Sequence, residues 1–323
     1  MSVDKGIKIL LTQGDPNGIG PEIIIKIFKK KLYPSDCTLK VIGNKKVFDF
    51  YSKSLRLPFL NDNEIFNLEE YNNFIPNPGK IERISGKISA KSVIRAAGLC
   101  MLGNFDALVT MPVSKESFYK ADYKYPGQTN LLSEITKSKS VSMFMVSSYI
   151  SVALLTMHIP VREINKFLNY DFVFRKITSI HKNIVENMRI KNPAIAILGF
   201  NPHSGDGGVI GGEEQKVFLP VLKKLKQKNI FIDGPFSADA FFAGGNYKNY
   251  DLIISVYHDQ GLIPFKLISR GKGVNYSAGL KIIRTSPSHG TAFDIAGKGF
   301  ADTDSTVEAI KLAKKIYKYQ KNG

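Results

Sequence analysis

Lys8-Ile9-Leu10-Leu11-Thr12-Gln13-Gly14-Asp15-Pro16-Asn17-Gly18-Ile19-Gly20-Pro21-Glu22 decides the fold. Lys8–Thr12 reads as a buried strand, and Pro21–Lys31 as a helix with proline in its first turn. The glycines between them permit positive φ and close approach of a ligand to the backbone, at a helix N-terminus suited to anions. A tight strand-to-helix turn explains the same residues equally well. The spacing is not G-x-G-x-x-G, so it does not mark a Rossmann dinucleotide site.

The alternation continues outward from this segment. Thr38–Ile42 reads as a strand, Asn44–Ser54 and Lys91–Leu102 as helices, and Ala107–Thr110 as a short strand. Ala194–Leu198 and Leu252–Val256 are strands on either side of a helical stretch, Glu213–Gln227. Ser305–Lys318 closes the chain as an amphipathic helix. Asn61–Ser85, with its Asn, Pro and Gly, breaks the pattern as an irregular excursion or hairpin. This alternation predicts an α/β fold with a largely parallel sheet. With no internal repeat or low-complexity linker, two domains sharing interleaved segments are expected, 1–135 with about 265–323 and about 136–264.

A chain of 323 residues, 43% hydrophobic and 23% charged, can bury a core without disulfides or a structural metal. Its two cysteines, Cys37 and Cys100, read as free thiols in a reducing compartment. The net charge of +17 comes from scattered lysines with no RNA-recognition motif, zinc-finger spacing or basic-aromatic stripe. It predicts a solvated basic surface that favours anionic substrates, not a nucleic-acid partner. Ser140 to Val161 carries no Asp, Glu, Lys or Arg and is long enough to cross a bilayer. Five serines, a histidine and a proline instead make it two strands, Val141–Val146 and Ile150–Thr156, meeting at Ser147-Ser148-Tyr149. No membrane association is expected. The N-terminus lacks the basic-then-apolar layout of a secretory leader, which makes the cytoplasm the expected location.

Three of the five histidines sit at strand ends beside turn residues. They are His158 in Thr156-Met157-His158-Ile159-Pro160, His203 in Asn201-Pro202-His203-Ser204-Gly205-Asp206, and His258 in Tyr257-His258-Asp259-Gln260-Gly261. Loops after strands are where α/β proteins bind ligands, and three imidazoles with an open position make a catalytic rather than structural metal centre. Asp259 and Asp206 can support those ligands or contact substrate. His181 reads as a surface helix residue. Near the C-terminus, Arg284 offers a planar fork and Lys266 a movable ammonium for a carboxylate or phosphate. The Gly-rich stretch His289 to Gly299 can wrap a nucleotide through backbone donors.

Asp15-Pro16-Asn17-Gly18-Ile19-Gly20-Pro21-Glu22, Asn201-Pro202-His203, Tyr257-His258-Asp259-Gln260-Gly261 and Arg284-Thr285-Ser286 resemble the signatures of the 4-hydroxythreonine-4-phosphate dehydrogenase family of vitamin B6 biosynthesis. The likeness runs in order from near Leu10 to about Gly299. Separately, His289 to Gly299 is similar to the coenzyme loop of isopropylmalate and isocitrate dehydrogenases. The resemblance implies two α/β/α domains of that fold, with the active site in an interdomain cleft at a homodimer interface. It implies oxidation of 4-phosphohydroxy-L-threonine by NAD or NADP, then decarboxylation to 3-amino-2-oxopropyl phosphate. It puts metal ligands on His158, His203 and His258, and substrate contacts on Gln128, Thr129, Lys266, Asn275 and Arg284. It puts coenzyme contacts on His289, Gly290, Thr291 and Asp294. Zinc suits three histidines, while cobalt, magnesium or manganese can also support turnover. Lys266 is the expected proton-transfer group, with Asp259 as the alternative.

One departure stands out. The family has histidine before threonine in Gly-His-Thr-Glu, where this chain reads Gly127-Gln128-Thr129-Asn130. Glutamine exchanges hydrogen bonds but carries no proton charge at neutral pH. The substitution keeps open a same-fold dehydrogenase for 4-phosphoerythronate or a cis-diol carboxylate. A non-catalytic metal- or anion-binding protein is disfavoured by the retained histidines, Lys266 and Arg284.

Overall fold

The computed structural model describes residues 6–321; residues 1–5, inspected above for a leader, lie outside them. The chain forms two compact units, one ending at Lys139 and resuming at Leu280, the other Ser140–Gly279. The first carries β1 (Ile7–Thr12), α1 (Gly20–Lys29), β2 (Cys37–Gly43), α2 (Lys45–Ser54), β3 (Ile65–Asn67), α3 (Arg83–Met101), β4 (Ala107–Thr110), α4 (Lys115–Lys120) and α5 (Gln128–Ile135). The second carries β5 (Ser142–Val146), β6 (Ser151–Leu154), α6 (Ile164–Phe167), α7 (Tyr170–Met188), β7 (Ile195–Leu198), α8 (Leu219–Lys226), β8 (Asp233–Phe236), α9 (Ala238–Ala243), β9 (Leu252–Ser255), α10 (His258–Ser269) and β10 (Val274–Ala278). Strand β11 (Ile283–Pro287) and helix α11 (Asp304–Lys321) then complete the first unit. The return comes after Gly279 rather than near 264, because β10 pairs antiparallel with β5.

In the first unit the strand order is β3-β2-β1-β4-β11, parallel throughout. Strand β1 is central and buried, which explains its unbroken apolar run Ile9-Leu10-Leu11. Helix α1 buries Ile23, Ile24, Ile27 and Phe28, with Pro21 in its first turn. In the second unit the order is β10-β5-β6-β9-β7-β8, antiparallel over its first two pairings and parallel beyond. The apolar stretch 140–161 is mostly the β5–β6 hairpin, and no described helix is long and apolar enough to cross a membrane.

Of the two readings of Asn61–Ser85 the irregular excursion holds: it contributes only the short β3, which extends the sheet by pairing parallel with β2, and its last residues open α3. One local expectation is corrected. Helix α3 starts at Arg83 rather than Lys91, through Ser85, Gly86 and Ser89, types that propensity disfavours in helices. Close packing overrides propensity here, since a Cβ at Gly86 would collide with the Ser117 carbonyl of α4.

Candidate active site

In the loop that decides the fold, four amides are already committed within the chain. Asp15 N–H donates to Pro112 O at 2.9 Å, Asn17 N–H to Asp15 Oδ1 at 3.0 Å, Gly18 N–H to Asp15 O at 3.0 Å and Ile19 N–H to Thr291 O at 3.1 Å. Residues Gly14 to Glu22 are all buried. Of the two readings of this segment, the structure selects the turn. Burial lifts the Asp15 carboxyl to about 6, against hydrogen bonds from the Asn17 amide and the Ser117 hydroxyl that lower it.

The first unit gathers Arg284, Thr110 and Thr129 from the start of β11, the end of β4 and the start of α5. Arg284, 3% exposed, donates through Nε and Nη2 to Thr110 Oγ1 at 3.0 and 2.6 Å and through Nη1 to Thr129 Oγ1 at 3.4 Å. Burial lowers its pKa to about 10, so it stays cationic at neutral pH. The two hydroxyls fix the plane of the guanidinium fork before any ligand arrives. Thr129 and Gln128 open α5. Gln128 Nε2 donates to Met111 O at 3.0 Å, which turns its Oε1 elsewhere. Thr110 was not singled out from sequence, being indistinguishable there from any strand-end threonine.

The second unit holds the histidines. His158 follows β6, and His258 is the first residue of α10, following β9. Strands β6 and β9 are parallel neighbours, so their ends deliver the two rings side by side, centroids 5.6 Å apart. Both line a cavity of about 300 Å³ with Thr156, Tyr257 and Asp259. His258 Nδ1 meets Asp259 Oδ1 at 2.7 Å, which orients the ring and directs Nε2 away from the carboxylate. Gln260 ties this loop to the next strand, accepting from Val256 N–H at 2.7 Å and donating to Gly199 O at 2.6 Å.

His203 begins a run of five left-handed residues, His203 to Gly207, three of them not glycine. His158 also has positive φ, at 50°. Such conformations cost free energy and persist where surrounding contacts impose them. Here the anchor is Glu214, 2% exposed, whose Oε1 accepts from the Phe200 and Asn201 amides and whose Oε2 accepts from Asn201 Nδ2, each at 2.8 Å. Its sequence signal is faint, an acidic pair after Gly211-Gly212.

The three histidines do not close into one centre. No group of three His, Cys, Asp or Glu side chains among the described residues is spaced to hold a metal ion. His158 and His258 supply a pair of imidazoles that suits a borderline divalent cation as a partial shell, which His203 does not join. Lys266 lies exposed about two turns further along α10. Asn275 sits on β10 opposite Met145 of β5.

Six buried side-chain polar atoms among the described residues lack a hydrogen-bond partner, and three fall on expected site residues: Gln128 Oε1, Asn275 Oδ1 and His289 Nε2. Buried polar atoms are normally paired, so these three are set apart from the rest of the interior. His289 opens the Gly-rich loop, with Nδ1 at 3.0 Å from Gly290 O. Burial lowers its pKa, partly offset by that carbonyl and by Asp302. Gly290, Thr291 and Asp294 lie on the same loop.

Comparison with known proteins follows the same residues. The family model described as pyridoxal phosphate biosynthetic protein PdxA matches residues 27–313. The 4-hydroxythreonine-4-phosphate dehydrogenase of Bacteroides thetaiotaomicron is 38% identical, over 97% of this chain and 89% of that relative. The crystal structure of 4-hydroxythreonine-4-phosphate dehydrogenase from Klebsiella pneumoniae superposes with a TM-score of 0.83 at 31% identity, covering 98% of this chain and 99% of that one. A terephthalate 1,2-cis-dihydrodiol dehydrogenase from Burkholderia xenovorans shares the fold, with a TM-score of 0.63, 24% identity and coverage of 96% and 98%.

Proposed function

The chain belongs to the pyridoxal phosphate biosynthetic protein PdxA family, and from that membership we propose that it oxidises 4-phosphohydroxy-L-threonine and releases carbon dioxide to leave 3-amino-2-oxopropyl phosphate. The name shared by its relatives makes it a dehydrogenase with a place in vitamin B6 biosynthesis, and such a dehydrogenase uses a nicotinamide cofactor. The carrying observation is that Gln128, Asn275 and His289, expected to contact substrate or cofactor, hold half of the unpartnered buried side-chain polar atoms among the described residues.

In this reading the two sets of residues have separate tasks. Arg284, held by Thr110 and Thr129, binds an anionic group of the substrate, through a fork matched to two oxygens. Gln128 gives its amide N–H to Met111 O and offers an acceptor, which suits an ammonium or hydroxyl and not a phosphate oxygen. His158 and His258 would hold a divalent cation, with His203 joining them as third ligand only once the cation is bound, and Asp259 orients His258. Zinc, cobalt, magnesium or manganese held there would supply Lewis-acid chemistry, and the loop of His289, Gly290, Thr291 and Asp294 would hold NAD or NADP, whose chemistry is hydride acceptance. Lys266 Nζ takes the proton of the substrate hydroxyl and returns one to carbon after carbon dioxide leaves. Asp259 is the weaker candidate for that transfer, its carboxylate being engaged with His258 Nδ1. The active unit is a homodimer in this reading.

The test is NADH formation with 4-phosphohydroxy-L-threonine and 4-phosphoerythronate side by side, before and after chelation. Metal-dependent turnover of the amino substrate alone is expected. Turnover of the erythronate alone would move the chain to the second substrate. Turnover unaffected by exhaustive chelation would remove the metal from the reaction.

A further inference from the structure

Helix α1 holds a chain segment that the activity leaves unexplained. Glu22 and Lys26, one turn apart and 2.7 Å from each other, grip the backbone of Gly299 and Ala301 from both sides. Glu22 Oε2 accepts from Gly299 N–H at 3.2 Å and Oε1 from Ala301 N–H at 2.8 Å. Lys26 Nζ donates to the carbonyls of the same two residues, at 2.8 and 2.9 Å. Every backbone polar group of these two positions is thereby read by an opposite charge, with Glu22 fully buried. Charge-assisted bonds are the strong ones, and four on one short strap immobilise it.

The strap is the trailing end of the Gly-rich loop, and the rest of that loop is braced by the same segment. Ile19 N–H donates to Thr291 O, and a Cβ on Gly18 would lie 3.0 Å from that carbonyl, so the turn and loop backbones touch. Gly79, at φ +84°, leaves room for Phe293 O, and its N–H donates to Asn17 O at 2.8 Å. Asn17 also accepts from Asn77 N–H at 2.8 Å and donates to Lys80 O at 2.9 Å. The loop is held at its start, middle and end by residues 17–26 and the strip they organise.

We propose that Glu22 and Lys26 are positioning residues that set nicotinamide-cofactor affinity by holding residues 288–301 in the binding conformation. This rests on the reading of His289, Gly290, Thr291 and Asp294 as cofactor contacts. Without the clamp, the loop samples other conformations, and apparent affinity falls by the fraction of time the competent one is lost.

The experiment uses the full chain with Lys26→Met, which removes both carbonyl contacts and keeps Glu22, alongside Lys26→Arg as the conservative variant. NADH binding is read by fluorescence titration, and KM for NAD and for the phosphorylated substrate are measured separately. Lys26→Met raises the NADH Kd and the NAD KM about tenfold, with kcat and the other KM within about twofold, and Lys26→Arg restores most of the loss. Equal losses in all parameters would reduce the clamp to a fold element and overturn the proposal. His289→Ala and Asp294→Ala separate the two readings. If they weaken NADH and Lys26→Met does not, only the clamp fails; if neither weakens it, the cofactor loop and the clamp fail together. Should Lys26→Met not fold, hydrogen exchange on the unaltered chain decides. Saturating NADH slows exchange at Gly299 and Ala301, and no change there overturns the proposal.

Discussion

Replacing Glu214 by glutamine tests whether one buried carboxylate imposes the left-handed run that carries His203. The side chain keeps its shape, and Oε1 still accepts from the Phe200 and Asn201 amides. Both bonds change from charge-assisted to neutral, a loss of about 1 kcal/mol each. The new amide N–H₂ replaces Oε2 and faces Asn201 Nδ2, donor against donor. Asn201 keeps a second acceptor in Glu213 Oε2 at 2.8 Å, which limits that loss to about 1 kcal/mol. The sum is about 3 kcal/mol, or roughly a hundredfold in the opening equilibrium of this loop. A local probe is required, because a chain of two units need not unfold in one step. Hydrogen exchange at the Phe200 and Asn201 amides should accelerate about a hundredfold, with β7 itself little changed. An acceleration below about threefold would refute the argument, since the anchoring would then come from elsewhere in the loop.

Three further outcomes follow from the same contacts. Asp259→Asn removes the carboxylate beside His258 Nδ1 and should weaken zinc binding about 10- to 100-fold in a chelator-competition titration, while undiminished affinity would exclude an orienting role. Lys266→Ala should lower kcat by about 10²- to 10⁴-fold with metal content intact, and turnover at the parent rate would remove the lysine from proton transfer. Asp15, raised from 3.8 to about 6 by burial, binds its proton more tightly folded than unfolded, so its effect on stability worsens as pH rises through that window and is complete above it. Taking about 1.36 kcal/mol per unit, Asp15→Asn should gain up to about 3 kcal/mol on the parent at pH 7.5 and lose that advantage by pH 4, whereas a pH-independent difference in urea unfolding would disprove the titration.

Periodicity and turn chemistry carried most of the fold, because strands such as β4 and β9 are short apolar runs bounded by polar turns. They failed where packing chose the conformation: α3 begins in a Ser- and Gly-containing stretch because only small residues let it approach Ser117. The site was legible where residue chemistry is scarce. Three of only five histidines shared one context, and two of them do meet across parallel strands. Glu214 and Thr110 were not legible, since their roles lie in whom they touch: a backbone at residues 200–201, and a guanidinium that reaches β4 only because β11 pairs with it.

The segment Gly14 to Glu22 shows why such ambiguity is physical and not a matter of better rules. A phosphate-binding loop and a buried turn need the same residues, glycines for conformational freedom and an N–H row at a helix start. The difference is who receives those N–H groups. Here Pro112 O and Thr291 O receive two of them, from parts of the chain remote in sequence, and Asp15 receives two more. With those four amides spent internally, the segment acts as a brace for what it holds. Helix α1 meets the Gly-rich loop through Glu22 and Lys26, and Ile19 meets it at Thr291. If the Gly-rich loop holds the cofactor as proposed, a motif that looks like a ligand site is tied to the ligand indirectly, and substitutions in it should shift cofactor affinity with little change in kcat.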